Sequence, residues 1–180
     1  RIAAIRETLE ETGIAIGFDP VPDAATIATM RRELERGAPL GEVSDSRIDL
    51  DTLVPFARWL PDLPLSRVFD TRFYLARYDS TAGEASVDAT ENTRAFWASA
   101  QSVLDAADRD ALRIIFPTRR NLERLAGFAD FDRAVDDARR YTIRTITPWT
   151  EDRGGVAHLC IPDDLGYPTC AEPVDAVQRG

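Results

Sequence analysis

The order of helical and strand-like segments constrains the fold of this chain more than any other feature. Helical periodicity is expected over 2–12, from Asp23 to about Arg36, and over about 100–107, 118–127 and 131–140. Segments rich in β-branched and aromatic residues lie between them, at 14–18, 67–79, 93–98, 144–149 and 156–161. Because the two kinds of segment follow no regular strand-helix-strand alternation, the sequence predicts an α+β fold with a mixed sheet.

Local signals add detail to this order. A third helix is expected from Asp49 or Asp51 to Trp59 or Leu60, which would make 19–65 a largely helical insert. In the strand at 67–79 the expected inward side chains are Val68, Phe73 and Leu75.

The end of the chain also contains turn signals. Gly154 and Gly155 are expected to form the turn between the last two strands. The segment 163–180 is rich in turn residues and is expected to be an extended arm.

Composition limits the classes of function. The chain has 180 residues, with 22 basic and 31 acidic side chains and a net charge of −9, which argues against binding to nucleic acid or to an anionic membrane. One domain, a small-molecule or metal-bridged ligand and no membrane span are expected. Cys160 and Cys170 have no CxxC partner, so no zinc site is expected. With only two cysteines, we expect a cytoplasmic protein whose thiols are reduced. A disulfide between them is the alternative.

One short segment carries a pattern typical of catalytic chemistry. The residues RETLEETGI, 6–14, place Glu7, Glu10 and Glu11 on nearly one face of the first helix, which Gly13 is suited to end. Like charges at this spacing repel, and a divalent cation would offset the repulsion. Carboxylates are hard ligands that suit Mg²⁺ or Mn²⁺, and Arg6 is one turn before Glu10, where it could orient a carboxylate.

This segment resembles the C-terminal half of the Nudix box, which reads Arg-Glu-aliphatic-x-Glu-Glu-x-Gly-aliphatic. The three glutamates, Arg6, Gly13 and Ile14 match, whereas Thr8 departs from the aliphatic preference. In the family the box begins further upstream, with a glycine, another glutamate and a strand, so the resemblance implies a preceding part that is outside this sequence.

A longer and weaker resemblance covers most of the chain. The succession of the box, an insert, PFARWL, RVFDTRFYLA, ENTRAFW, FPTRRNLERLA and DLGYP is similar to the large-insert Nudix branch that includes the peroxisomal coenzyme A diphosphatases. The resemblance implies an α/β/α Nudix sandwich that hydrolyses a nucleoside diphosphate linked to another moiety, with coenzyme A or an acyl-coenzyme A as candidate substrates. A Nudix-fold module that binds such a nucleotide without cleaving it is the alternative.

The resemblance also implies roles for individual residues. Glu10 and Glu11 would bind the metal, Glu7 would be a further ligand or the general base, and Arg6 would orient a glutamate. The distant metal ligand would be Glu91, with Glu84 and Asp88 as rivals in the same loop, and Arg72 would contact phosphate. His158 is expected to be a packed histidine, and the insert could be a lid or a homodimer contact.

Overall fold

The chain forms two compact units, and each unit is built from two segments that alternate along the sequence. The computed structural model describes residues 1–61, 69–78, 85 and 95–177. Unit 1 consists of Arg1–Val54 and Ala76–Trp97, and unit 2 consists of Pro55–Leu75 and Ala98–Gly180. Helices occur together with parallel and antiparallel strand pairs, so the α+β prediction is confirmed. The prediction of a single Nudix domain stays a prediction.

The described residues of unit 1 form two helices and a small strand pair. The elements are α1 (Ile2–Thr12), β1 (Phe18–Asp19), α2 (Ala24–Glu35) and β2 (Arg47–Ile48), with short 3-10 turns at Leu40–Glu42 and Leu50–Thr52. Strands β1 and β2 are antiparallel, with Phe18 opposite Ile48. Helices α1 and α2 pack against each other.

Both helices of unit 1 were predicted because their ends are encoded locally. Asp23 caps α2 by accepting the backbone N–H of Thr26 at 2.7 Å, and Gly13 ends α1 in the left-handed conformation at φ 69°. Ile5 and Leu9 are fully buried on the inner side of α1. Ile2, one turn before Ile5, is 54% exposed, so burial begins only one turn further along the helix.

Unit 2 contains two three-stranded sheets and four helices. Strand β3 (Val54–Trp59), whose first residue belongs to unit 1, is between β4 (Thr71–Leu75) and β5 (Thr145–Ile146). A second sheet has the order β6 (Trp149–Arg153), β7 (Val156–Cys160) and β8 (Ala171–Pro173), all antiparallel. The helices are α3 (Ala100–Asp108), α4 (Phe116–Ala126), α5 (Phe131–Arg140) and the short α6 (Val174–Val177).

The third predicted helix is wrong, because Val54–Trp59 is a strand. β3 runs parallel to β5, with Arg58 opposite Thr145 and Trp59 opposite Ile146. Pro55 would remove a hydrogen bond from a helix interior, whereas near the start of a strand it is tolerated. The insert is therefore mixed, with one α-helix, short strands and two 3-10 turns in its described part.

Two further predictions, for the strand before the Gly154–Gly155 turn and for the C-terminal arm, differ from the structure. Gly154 and Gly155 form the predicted hairpin turn, at φ 66° and 85°, but the strand before it is β6 rather than 144–149. The predicted extended arm contains β8, which pairs with β7, and α6, because the tail offers a third strand to an open sheet edge. The predicted strand at 93–98 falls partly outside the described residues, and 95–98 is not a strand.

Aromatic rings form the centre of unit 2. Trp59 is 1% exposed and meets Phe116 and Tyr167 edge to face, with ring centroids 6.1 and 5.8 Å away. The Trp59 indole N–H and the Tyr167 hydroxyl both donate to the Asn121 side-chain oxygen, at 3.4 and 3.0 Å. Asn121 thus satisfies the two polar atoms that this cluster buries.

None of the helices in the described ranges is both long and apolar enough to cross a membrane.

Candidate functional site

Helix α1 carries four of the six charged side chains of the predicted site, namely Arg6, Glu7, Glu10 and Glu11. Glu7 is exposed, whereas Arg6, Glu10 and Glu11 are half-buried. Since each residue turns a helix by about 100°, Glu7 and Glu11 lie one turn apart on the side opposite Ile5 and Leu9, and Glu10 lies at the flank. The side chains of Glu7 and Glu11 therefore extend away from the buried side of α1.

Arg6 holds Glu10 in one position. Its Nε and Nη2 atoms both lie 2.9 Å from Glu10 Oε1, and only 17% of the Glu10 side chain is exposed. The main-chain oxygen of Glu10 accepts a second bond, from Arg31 Nε of α2 at 2.9 Å. The predicted contact between Arg6 and a glutamate one turn along is present, and α2 fixes the backbone beneath it.

The two threonines of α1 bond within the helix. The Thr8 hydroxyl, at the position where the family prefers an aliphatic side chain, donates to the Ala4 carbonyl at 2.8 Å. Thr12 donates to the Thr8 carbonyl at 2.6 Å, and its oxygen accepts the Ile14 N–H at 3.2 Å. Thr8 is thus satisfied by backbone and makes no contact with the charged residues of the segment.

The donor atoms for a divalent cation are present in part. Glu7 and Glu11 have no hydrogen-bonding or ion-pairing partner within the described residues, so their oxygens are open to a hard cation. Glu10 shares Oε1 with Arg6. Across the described ranges no group of three or more His, Cys, Asp or Glu side chains is arranged to hold a metal ion. Glu91 and its rivals Glu84 and Asp88 lie outside the described residues.

Arg72 lies in unit 2 on β4, where it is exposed and ion-paired. Its Nη2 is 3.5 Å from Asp70 Oδ2. Arg58 of β3 donates one hydrogen bond to each Asp70 carboxylate oxygen, both at 2.7 Å. The hydrogen bonds from Arg58 lower the pKa of the Asp70 carboxyl, and the same contact raises the pKa of Arg58. A phosphate contact by Arg72 stays a prediction.

The structure agrees with the predictions of a packed His158 and of reduced thiols at Cys160 and Cys170. His158 is half-buried on β7, and its Nδ1 lies 2.9 Å from the Val156 carbonyl oxygen. Cys160 and Cys170 are free thiols, and burial raises the pKa of both. An unreactive pair of thiols follows, since the thiolate is the nucleophilic form.

Sequence reasoning missed two buried arginines on α4. Arg120 and Arg124 are 1% and 4% exposed, at positions where the helical period requires inward-facing residues after Phe116. Arg120 Nη2 meets Glu123 at 2.8 Å and Glu172 of β8 at 2.9 Å. The signal was available, because FPTRRNLERLA has too few apolar residues to cover a core-facing side.

Each unit also contains a cleft that the sequence did not indicate. In unit 2, about 350 Å³ is open beside α3, α4 and α6, where Arg119 pairs with Asp108 and, at 3.4 Å, with Glu123. In unit 1, about 340 Å³ is open beside the β1–β2 pair, and its lining includes Gly17, Arg47, Arg77 and Tyr78.

Comparison with known proteins adds no relative: no protein-family model, curated protein or solved structure matches the chain.

Proposed function

We propose that this chain is a metal-dependent Nudix hydrolase that cleaves the phosphoanhydride of a nucleoside diphosphate linked to another moiety. The observation that carries the proposal is the conformation of 6–14: an exposed acidic helix that ends at a left-handed glycine, with Arg6 holding Glu10. A surface helix has no structural need for three glutamates at repelling spacing. Their retention is explained by a cation.

The roles of the residues follow from their positions. Glu10 and Glu11, with Glu7, would hold Mg²⁺ or Mn²⁺, which when bound neutralises phosphate charge and makes an attacking water more acidic. Glu7, the most exposed of the three, would be either a further metal ligand or the general base that takes the proton from the water. Arg6 keeps Glu10 in a fixed orientation. Attack at phosphorus then releases a nucleoside monophosphate and the phosphorylated second moiety.

The substrate class rests on the longer resemblance. Coenzyme A or an acyl-coenzyme A contains a phosphoanhydride of this kind and is the favoured candidate. We further propose that the protein is cytoplasmic and acts on small molecules rather than nucleic acid. For the insert at 19–65, a lid and a homodimer contact remain the two candidate roles.

A panel of substrates tests the activity. Coenzyme A, acyl-coenzyme A, ADP-ribose, NADH and a nucleotide sugar are each incubated with the protein and any chain that precedes Arg1, in Mg²⁺, Mn²⁺ or EDTA. Release of the 5′-nucleotide product from one of them, lost in EDTA, is the expected result; from coenzyme A or an acyl-coenzyme A this product is adenosine 3′,5′-bisphosphate. No metal-dependent release from any member would contradict the proposal.

A single substitution tests the assignment of the site. Glu11→Gln removes one carboxylate charge and is expected to lower kcat about a hundredfold or more with the fold intact. Glu35→Gln, an exposed residue at the end of α2, is the matched control and should retain full activity. Circular dichroism checks the fold of both variants, and equal turnover in both would remove Glu11 from the site.

A second candidate function is a Nudix-fold module that binds the nucleotide without cleaving it. It is favoured by the ion pair of Glu10 with Arg6, which offsets one of the three glutamate charges without a cation. Thermal stabilisation by a member of the panel, with no product in any metal, would identify this function.

A further inference from the structure

The cleft in unit 1 has the size and the walls of a small-molecule site. It encloses about 340 Å³, within the range of sites that bind nucleotide-sized ligands. Its lining includes residues 15–19, which follow α1, together with Arg47 of β2, Arg77 and Tyr78. All of these residues belong to unit 1.

Tyr78 connects the cleft to a second aromatic ring, that of Trp97. Tyr78, which lines the cleft, stacks on Trp97 with ring centroids 4.7 Å apart and an angle of 27° between the planes. Trp97 is 65% exposed, an unusual position for an indole that already has a stacking partner. A stacked aromatic pair with an open ring face is the arrangement that binds a planar nucleobase.

The charged side chains of the cleft suit a phosphate group. Among the described lining residues, the two positive charges of Arg47 and Arg77 balance the two negative charges of Asp19 and Asp49, in a chain of net charge −9. Arg47 pairs with Asp19 at 3.1 Å, but the two side chains are 72% and 67% exposed, and exposed pairs contribute little stability. The Asp49 carboxylate accepts the Asp51 N–H at 3.0 Å. A phosphate can therefore replace Asp19 on the Arg47 guanidinium with little loss.

The cleft is separate from the glutamates of α1. A side chain at Gly17, in the cleft wall, would lie 3.3 Å from Ile5 Cδ1, on the buried side of α1. Glu7 follows Ile5 by two residues and therefore points to the opposite side of the helix. A ligand in the cleft has the helix between itself and the Glu7 carboxylate.

We propose that the unit 1 cleft binds a nucleoside monophosphate without a metal ion, with the base stacked on Trp97 and the phosphate held by Arg47. The site does not depend on the hydrolase proposal. If both hold, the cleft binds the nucleotide product of the reaction.

Calorimetric titration with AMP in EDTA tests the site on the whole protein. AMP is expected to bind more tightly than adenosine, which lacks the phosphate, and than ribose 5-phosphate, which lacks the base. Trp97→Leu should weaken AMP binding about tenfold or more, because a stacking partner is lost. Arg47→Gln should weaken AMP binding and leave adenosine binding unchanged.

Trp149→Leu is the matched control, since Trp149 is an exposed indole, at 45%, that belongs to unit 2 and has no stacking contact with Tyr78. It should bind AMP as the unmodified protein does. No binding of AMP, equal affinity for AMP and ribose 5-phosphate, or an unchanged affinity in Trp97→Leu would each overturn the proposal. Glu11→Gln separates the two proposals, because it should abolish hydrolysis and leave AMP binding in EDTA intact.

Discussion

At the scale of single residues, Arg124 is a buried charge that has both a carboxylate and aromatic rings around it. Asp137 of α5 accepts from its Nε at 2.9 Å and lies 2.7 Å from Nη2, and Nη1 donates to the Phe56 carbonyl at 3.3 Å. The rings of Phe56, Tyr141 and Tyr167 surround the guanidinium, with centroids 4.4 to 5.4 Å from Cζ. Arg124 therefore packs in the core among aromatic rings, and the Asp137 carboxylate neutralises its charge.

Removing the partner of Arg124 should therefore destabilise the protein strongly. Asp137→Ala leaves a buried guanidinium without its carboxylate, and we expect the free energy of unfolding to fall by about 3 kcal/mol. Urea denaturation measures the change. Asp136→Ala, an exposed neighbour on the same helix, is the control and should stay within about 0.5 kcal/mol of the unmodified protein. Equal losses in the two variants would contradict the structural role of the pair.

Gly166 is fixed by a close contact as well as by its backbone angle. It has φ 79°, and an added Cβ would lie 2.6 Å from Tyr141 Cε2. Gly166→Ala should cost about 2 to 4 kcal/mol, since the strain of a left-handed alanine adds to the overlap with a ring. Gly155→Ala provides the matched control, because Gly155 has φ 85° and no atom within 4 Å of the added carbon. If thermal melts showed the same loss of stability for both variants, the Tyr141 ring would move aside without a measurable energetic cost.

At the scale of elements, the Arg58–Asp70 pair connects β3 to the residue before β4. The contact lowers the pKa of Asp70, so its contribution to stability is present above the ordinary carboxyl value and is lost as the pH falls through the lowered pKa. An NMR titration should give Asp70 a midpoint below 3.8. Arg58→Gln should return the midpoint towards 3.8, whereas Arg72→Gln should move it less, because Arg72 is the smallest contributor. A midpoint that is unchanged in Arg58→Gln would rule out this pair as the cause.

Helices whose ends are encoded locally were predicted well from the sequence. α2 and α3 begin at Asp23 and Ser99, and each cap accepts the backbone N–H three residues along, from Thr26 and Ser102. Such signals lie within one turn of chain and need no tertiary information. α1 and α5 were likewise predicted with their observed bounds, 2–12 and 131–140.

Elements that depend on distant partners were predicted poorly. β3 was taken for a helix because its neighbour β5 is far away in the sequence, and the pairing that decides its conformation has no local signal. β8 was missed for the same kind of reason, since it is three residues long and is defined by its bonds to β7. The arginines of α4 were missed because charged residues are rarely fully buried unless paired, and their partners Glu172 and Asp137 lie on other elements.

At the scale of the whole molecule, the candidate site was predictable only where one helix supplies it. Arg6, Glu7, Glu10 and Glu11 share α1, so helical spacing placed them correctly. Glu91 and Arg72 were assigned by resemblance, and nothing in local spacing relates either of them to α1. The unit 1 cleft draws on residues from 15 to 78, which no periodicity brings together.

The alternation of the two units along the chain has a consequence for synthesis on the ribosome. Unit 1 takes its last segment from Ala76–Trp97, so all of it can leave the ribosome before most of unit 2 exists. Strand β3 must wait longer, because the partner of Trp59 is Ile146, 87 residues later. At about 5–20 residues per second, this strand spends roughly 4–17 s without its parallel neighbour. A nascent chain of this protein therefore exposes an apolar strand for seconds, which makes β3 a natural target for chaperones during translation.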